Sequence, residues 1–113
     1  NIDGIESEDL PALQVATDPH KAAAYFEFAY RSGYKHAAYY LGNLYFHGKL
    51  SPADKPDYER AAGWYMANTE NPYCQFALAK MIEHGQGFTP NVETAETLYR
   101  KCLNANDYLT DAE

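Results

Sequence analysis

The apolar positions between residues 35 and 48 recur at the spacing of a helix. At 100° per residue, one stripe of small and apolar side chains falls within about 60° of Leu41, and it consists of Ala37, Ala38, Leu44, Tyr45 and Gly48. Gly48 stands where such a helix would end in a left-handed turn, a conformation that glycine adopts without steric penalty. The pattern predicts a helix with one buried face, which we call an A-type helix.

The same pattern returns 37 residues later along the chain. Size and polarity are retained at the paired positions, which are Tyr39 with Phe76, Leu41 with Leu78, Gly42 with Ala79, Leu44 with Met81, Tyr45 with Ile82, His47 with His84 and Gly48 with Gly85. The repetition predicts a second A-type helix and an architecture built from repeated units.

A second helical pattern alternates with the first. Its three copies open with Asp18, Asp57 and Asn91, whose side chains can accept hydrogen bonds from the first turn of a helix. Small residues and aromatics follow at helical spacing. We call the helices of this second pattern B-type helices and predict them at about 18–32, 57–69 and 91–104. They alternate with A-type helices at 35–47 and 72–84. A break at Asn104 to Asp107 is expected to end the last of them.

Gly42 lies in the middle of an A-type helix, where glycine costs about 1 kcal/mol relative to alanine. It falls about 100° from the centre of the stripe, where a second neighbouring helix would approach, and the missing β-carbon would let the two helices come close. We expect the same of Gly63 beside Trp64 in a B-type helix. The alternative, that Gly42 marks a kink or is merely tolerated, is less favoured because Ala79 occupies the equivalent place.

The repeated unit resembles the Sel-one-like repeat family, relatives of the tetratricopeptide repeats. The motif of that family reads A-x-x-x-L-G-x-x-Y-x-x-G, a short loop, then D-x-x-K-A-x-x-W-Y. The first copy matches it with Ala37, Leu41, Gly42, Tyr45, Gly48, Asp57, Arg60, Ala61, Trp64 and Tyr65. The second copy has Leu78, Gly85, Ala95 and Tyr99 at motif positions and departs conservatively at Cys74, Ala79, Ile82, Asn91, Thr94 and Leu98.

The resemblance implies an all-α fold, an α-solenoid in which antiparallel helix pairs form a right-handed superhelix of about two and a half repeats. It covers residues 18–104. Residues 1–17 are expected to be weakly structured or to form one short helix, and residues 105–113 to begin a further helix or form a tail. The repeats at both ends are incomplete, which suggests an excerpt of a longer solenoid or self-association through these ends.

Composition and charge narrow the class of partner. The 113 residues carry a formal net charge of −7, which argues against binding of nucleic acid because such binding needs a clustered basic surface. No run of about 18 apolar residues occurs, so no transmembrane segment is predicted. The sequence leaves the compartment open between bacterial cytoplasm, periplasm and secretion.

Cysteine and histidine are the residues that invite a chemical interpretation. Some secreted members of the resembled family carry a disulfide within each repeat, and Cys74 and Cys102 are candidates for one; the alternative is that both are buried free thiols. His47 and His84 occupy equivalent places and are better explained by the negative ends of their helices than by a metal site. No catalytic motif and no cofactor site are predicted.

A candidate contact surface lies opposite the apolar stripe of the A-type helices. It comprises Tyr39, Asn43 and Phe46 in the first copy and Phe76, Lys80 and Glu83 in the second. Aromatics mixed with polar groups suit recognition of a peptide or protein. The alternative is that the inner helices are packed on both faces, so that these aromatics belong to the core.

The function favoured by these patterns is a non-catalytic adaptor or scaffold that presents a repeat-built surface to a protein or peptide. Two alternatives come from other classes. One is a cell-envelope or secreted protein with a weak enzymatic or β-lactam-binding role, suggested by cysteine-rich relatives of the resembled family. The other is a structural spacer within a larger multidomain protein.

Overall fold

The computed structural model describes residues 18–111, with side chains described through residue 104. Its helices are α1 (Pro19–Arg31), α2 (Ala37–Phe46), α3 (Tyr58–Met66), α4 (Pro72–His84) and α5 (Val92–Asp111), with a short 3-10 turn at Pro52–Asp54. No strand occurs within residues 18–111. The predicted all-α repeat fold is therefore confirmed, with α2 and α4 as A-type helices and α1, α3 and α5 as B-type helices. The expectation for residues 1–17 lies outside the described residues.

The B-type helices begin at the acidic or amide side chains that the sequence indicated. Asp18 accepts hydrogen bonds from the backbone N–H groups of residues 20 and 21 at 3.0 and 3.3 Å. Asp57 accepts from the N–H of Arg60 at 3.1 Å, and Asn91 accepts from the N–H of Thr94 at 3.0 Å. Each bond satisfies a donor that the helix itself leaves unpaired, which fixes the start of the helix.

The A-type helices end at glycines with left-handed backbone geometry. Gly48 and Gly85 both have φ of 71°, as expected. One further backbone bond closes the loop to the next helix in both repeats: Asp57 N–H donates to Tyr45 C=O at 2.9 Å, and Asn91 N–H donates to Ile82 C=O at 3.2 Å. The two repeats thus share the same closure although the first loop is the longer one, and its additional residues form the 3-10 turn.

Each helix packs mainly against the next helix along the chain, and side chains then link helices of the same type. Tyr30 of α1 meets Trp64 of α3 edge to face, with ring centroids 5.4 Å apart. The rings of Tyr39 of α2 and Tyr73 of α4 also lie side by side, with centroids 5.5 Å apart. These contacts stack one helix pair on the next, as in a solenoid.

Small residues dominate the core. The buried side chains are Ala22, Ala23, Ala37, Ala38, Leu41, Ala61, Ala62, Tyr65, Cys74, Leu78, Ala79, Met81, Ala95 and Cys102. Alanines let helix axes approach closely, while the few large side chains fill the space between them. Of the other matching motif residues, Gly42 and Gly48 are buried and Arg60 is exposed, whereas the half-buried ones are Tyr45, Asp57, Trp64, Gly85 and Tyr99.

Gly42 lies directly under the ring of Tyr65 from α3. A β-carbon built on Gly42 would fall 2.6 Å from Cδ1 of Tyr65 and closer still to Cε1. Tyr65 is only 2% exposed, so its ring has little room to move aside. The glycine therefore allows a large aromatic side chain of the neighbouring helix to pack against the backbone of α2.

The expected close approach at Gly63 is wrong. Apart from its chain neighbours and the backbone of its own helix, no heavy atom of the described residues lies within 4 Å of a β-carbon placed there, and the residue is exposed. Its helix turns this position towards open space because the buried face of α3 is formed by Ala61, Ala62 and Tyr65. Helical spacing alone did not reveal which flank of α3 would have a neighbour.

The expected break at Asn104 to Asp107 is also wrong, because α5 runs without interruption from Val92 to Asp111. Residues 105–111, expected to be a tail or to begin a new helix, continue α5. Neither glycine nor proline occurs in this segment. Asparagine and aspartate each cost only about 0.7 kcal/mol in a helix interior, too little to stop a helix that is already formed.

Candidate functional site

A groove of about 160 Å³ lies between α2 and α4. It is lined by Tyr39, Asn43, Phe46, His47, Tyr65, Tyr73, Phe76, Ala77 and Lys80. Five of the six side chains predicted to form a contact surface are brought together here. The sixth, Glu83, does not line the groove, and its carboxylate accepts a hydrogen bond from the hydroxyl of Tyr99 at 2.7 Å.

Helical spacing explains why these side chains face one another. Tyr39, Asn43 and Phe46 follow at intervals of four and three residues and so share one face of α2. Phe76 and Lys80 are four residues apart on the facing side of α4. The two helices carry equivalent residues of consecutive repeats, so stacking the repeats places both faces along the same groove.

Tyr65 closes the floor of the groove from α3. Its hydroxyl donates a hydrogen bond to Oδ1 of Asn43 at 2.6 Å, and burial raises the pKa of this phenol well above its ordinary value. The bond holds the carboxamide of Asn43 in one orientation. Its Nδ2 has no hydrogen-bond partner among the described residues, so Asn43 contributes an amide donor to the groove.

The rim of the groove on α4 is aromatic and positively charged. Tyr73 is 62% exposed and Phe76 is 47% exposed. The ammonium of Lys80 lies 5.0 Å from the ring centroid of Phe76, a favourable cation–π distance. Within residues 18–104, no carboxylate lies at ion-pair distance from Lys80.

His36 connects the groove to the helix starts around it. Asn71 caps α4 by accepting from the N–H groups of Tyr73 and Cys74 at 2.8 and 3.4 Å. Because Oδ1 of Asn71 is used in this way, its Nδ2 is the donor to Nδ1 of His36. The imidazole also meets Tyr73 and Tyr40 edge to face. One side chain thus joins the start of α2 to the start of α4.

Some residues of the groove were missed by the sequence analysis. Tyr73 precedes Phe76 by three residues, so the helical spacing that identified Phe76 would also have indicated Tyr73. No comparable signal existed for Tyr65. It reaches the groove from α3, a helix that the sequence pattern did not place beneath the A-type helices.

The two cysteines are free thiols and both are buried. The disulfide considered for Cys74 and Cys102 is therefore not present. Cys102 instead contacts the backbone carbonyl of Pro72, with Sγ and the oxygen 3.4 Å apart. Burial raises the pKa of the Cys74 thiol to about 11 and also raises that of Cys102. Both act as small core side chains between α4 and α5.

The histidines at the ends of the A-type helices are explained by their surroundings. Nδ1 of His84 lies 2.9 Å from the carbonyl oxygen of Lys80 in the last turn of α4, where a helix is negatively polarised. His47 follows α2 and lines the groove. In the part of the chain that the structure describes, no cluster of three or more His, Cys, Asp or Glu side chains could hold a metal ion.

A second cavity, of about 230 Å³, lies beside the loop after α2. Its Arg60 is 3.7 Å from the carboxylate of Asp57 and lies over the ring of Tyr45, with Cζ 5.9 Å from the centroid. These polar groups are already engaged with one another. The groove between α2 and α4 has exposed rings and donors that no other described residue engages, so it is the better candidate for a binding site.

None of the helices within the described residues is long and apolar enough to cross a membrane. The Sel1 repeat family model matches residues 12–34, 35–65 and 72–107. The ERAD-associated E3 ubiquitin-protein ligase component HRD3A of Arabidopsis thaliana is 32% identical over 80 residues, which cover 69% of this chain and 11% of that protein.

The chain thus spans about a tenth of the length of this curated relative. No solved structure shows a significant match to this chain. The second family match covers α2 and all but the last residue of α3, and the third covers α4 and α5 as far as residue 107. The repeat seen in the sequence therefore corresponds to the helix pairs of the structure. The chain therefore belongs to the Sel1 repeat family, whose repeats generally mediate protein–protein interaction.

Proposed function

We propose that this chain is a non-catalytic interaction module whose groove between α2 and α4 receives a peptide segment of a partner protein. The observation that carries the proposal is the groove itself. Side chains of two consecutive repeats converge on it, and two aromatic rings at its rim are left exposed. Rings of this kind are the residues that dominate the binding energy of protein interfaces.

The size of the groove supports a peptide over a small molecule. Sites for drug-sized ligands usually enclose about 300–1,000 Å³, whereas this groove holds about 160 Å³. That volume suits one or two side chains of a peptide that continues along the surface. The β-lactam-binding alternative therefore has less support from the geometry than the interaction module.

The comparisons support the same class of function at a coarser level. The relative HRD3A is, by its name, a component of a ubiquitin-protein ligase. Membership of the Sel1 repeat family favours protein partners in general. The identity of the partner is not carried over from the relative, because only a tenth of that protein is matched.

Photo-crosslinking tests the proposal with a matched control. Phe76, in the groove, and Phe28, on α1, are each replaced by benzoylphenylalanine; both side chains are exposed, by 47% and 70%. Each variant is illuminated in an extract of the cells that produce the protein, and crosslinked proteins are identified by mass spectrometry. We expect a discrete partner from position 76 and none from position 28.

The controls make the result decisive. Circular dichroism establishes that both variants are folded. A discrete adduct at position 76 that disappears in a Tyr73→Ala background would support the groove. Equal adducts at both positions, or none at position 76, would contradict it and favour the structural-spacer alternative.

A further inference from the structure

We propose that the groove between α2 and α4 selects peptides in which a carboxylate stands next to an apolar side chain. This inference rests on the proposed function and specifies the chemistry of the partner. The groove combines aromatic walls with the amide donor of Asn43 and with Lys80, which is the only Lys, Arg, Asp or Glu among the described residues that line it. A carboxylate would complement both groups.

Two donors that have no hydrogen-bond or ion-pair partner within residues 18–104 face the groove. The first is Nδ2 of Asn43, because Oδ1 of the same side chain is occupied by the hydroxyl of Tyr65 at 2.6 Å. The second is the ammonium of Lys80, held over the ring of Phe76 at 5.0 Å. An ammonium and an amide N–H that line one groove suit an anionic oxygen, since charge-assisted hydrogen bonds are the stronger ones.

Among the described residues, no carboxylate lines the groove. Oδ1 of Asn43 accepts from Tyr65, and Glu83, the nearest carboxylate along α4, accepts from Tyr99 at 2.7 Å. The hydroxyls of Tyr39 and Tyr73 can still accept hydrogen bonds, but a cationic side chain of a ligand would meet no opposite charge in the lining and would be repelled by Lys80. The charge of the groove favours an acidic peptide over a basic one.

The net negative charge of the whole chain does not oppose the binding of an acidic peptide at the groove. All 9 Lys and Arg residues lie between positions 18 and 104, where they balance the acidic residues of the same segment, and the surplus behind the net charge of −7 lies in residues 1–17 and 105–113. The apolar part of the peptide would contact Tyr39, Phe46 and Phe76. Its carboxylate would then lie beside Lys80.

Selection from a random peptide library tests this chemistry directly. Phage-displayed random octapeptides are selected on the immobilised wild-type chain, on Lys80→Gln and on Lys101→Gln. Lys101 is an exposed lysine of α5 that does not line the groove, so it is the matched control. We expect Asp or Glu next to an apolar residue to be enriched on the wild type and on Lys101→Gln, but not on Lys80→Gln.

A peptide enriched on the wild type is then synthesised and its affinity measured by fluorescence anisotropy. Lys80→Gln should bind it about fivefold more weakly, the factor for about 1 kcal/mol of a partly exposed ion pair. Added salt should weaken binding to the wild type more than to this variant. The variant Asn43→Ala should also bind more weakly.

The outcomes separate the two proposals. Enriched peptides without acidic residues, or acidic peptides that bind Lys80→Gln equally well, would overturn the carboxylate inference and leave the interaction module standing. If no peptide is enriched on any of the three proteins, both are overturned. Enrichment of basic residues on the wild type would reverse the assigned charge of the partner.

Discussion

At the scale of single residues, one pair explains why a glycine stands inside a helix. Gly42 lies where a β-carbon would collide with the ring of Tyr65, and the hydroxyl of that same ring holds Asn43 in the groove. The glycine therefore contributes twice. It lets α3 pack against α2, and it positions a polar group of the candidate site. Gly63, also within a helix, faces open space and has neither role.

We expect replacement by alanine to have opposite effects on stability at Gly42 and at Gly63. Gly42→Ala should destabilise the fold by about 1–2 kcal/mol, because the cost of overpacking exceeds the gain in helix propensity. Gly63→Ala should stabilise it by up to about 1 kcal/mol, because it meets no neighbour and favours the helix. Urea denaturation followed by circular dichroism measures both. If the two variants shift the midpoint in the same direction, the packing role of Gly42 is wrong.

At the scale of elements, the start of α4 is bound more tightly than the starts of the other helices. Asn71 accepts two backbone hydrogen bonds and donates a third to His36, which belongs to the preceding repeat. Asn91, which caps α5, accepts a single bond from Thr94. One residue therefore both begins a helix and joins two repeats, which links the walls of the groove.

Removal of the two caps should accordingly have unequal effects. Asn91→Ala should cost about 1 kcal/mol, the usual value of a helix cap. Asn71→Ala should cost about 2 kcal/mol, because the bond to His36 is lost as well. Thermal unfolding of the wild type and of the two variants, measured in parallel, tests whether Asn71→Ala loses more stability than Asn91→Ala. Equal losses would show that the bond to His36 contributes nothing to the coupling of the repeats.

At the scale of the whole molecule, the core contains titratable groups kept in their protonated form. Burial raises the pKa of Cys74 from 9.0 to about 11 and raises that of Tyr65 above its ordinary value. The ionised forms of a thiol and a phenol are costly in a core built from alanines and a few large apolar side chains. Such groups stabilise the folded chain only while they remain protonated.

The stability of the chain should therefore fall as the solution becomes alkaline. Between pH 9 and about pH 11 the unfolded thiol of Cys74 loses its proton while the folded one retains it, so the contribution is complete below pH 9 and is lost as the pH rises towards 11. The urea midpoint should decline across this window. Cys74→Ala should decline less steeply, whatever its midpoint at neutral pH. Identical slopes would contradict the assignment to Cys74.

Local signals were read correctly from the sequence. Asp18, Asp57 and Asn91 cap their helices as predicted, because a cap depends only on the next few residues. The left-handed glycines at 48 and 85 are likewise a local property. Spacing along α2 and α4 identified five of the nine residues that line the groove, since the helical period determines which side chains share a face.

Features that depend on contacts between distant segments could not be predicted from the sequence pattern. The open surroundings of Gly63 and the arrival of Tyr65 beneath the groove depend on which helices become neighbours. The continuation of α5 through Asn104 was missed for a different, local reason: asparagine is only a weak helix breaker within a helix already formed. The free state of Cys74 and Cys102 depends on how α4 and α5 pack.

Periodicity and capping act within a few residues, so the amino-acid sequence was enough to predict a stack of alternating helices with an aromatic face on its A-type helices. The packing of the helices, in contrast, is what brings two of these faces into one groove, with Tyr65 as its floor and with donors of Asn43 and Lys80 that have no partner among residues 18–104. The reason is that a binding site is made by contacts between distant segments, whereas a helix is made by contacts between near ones.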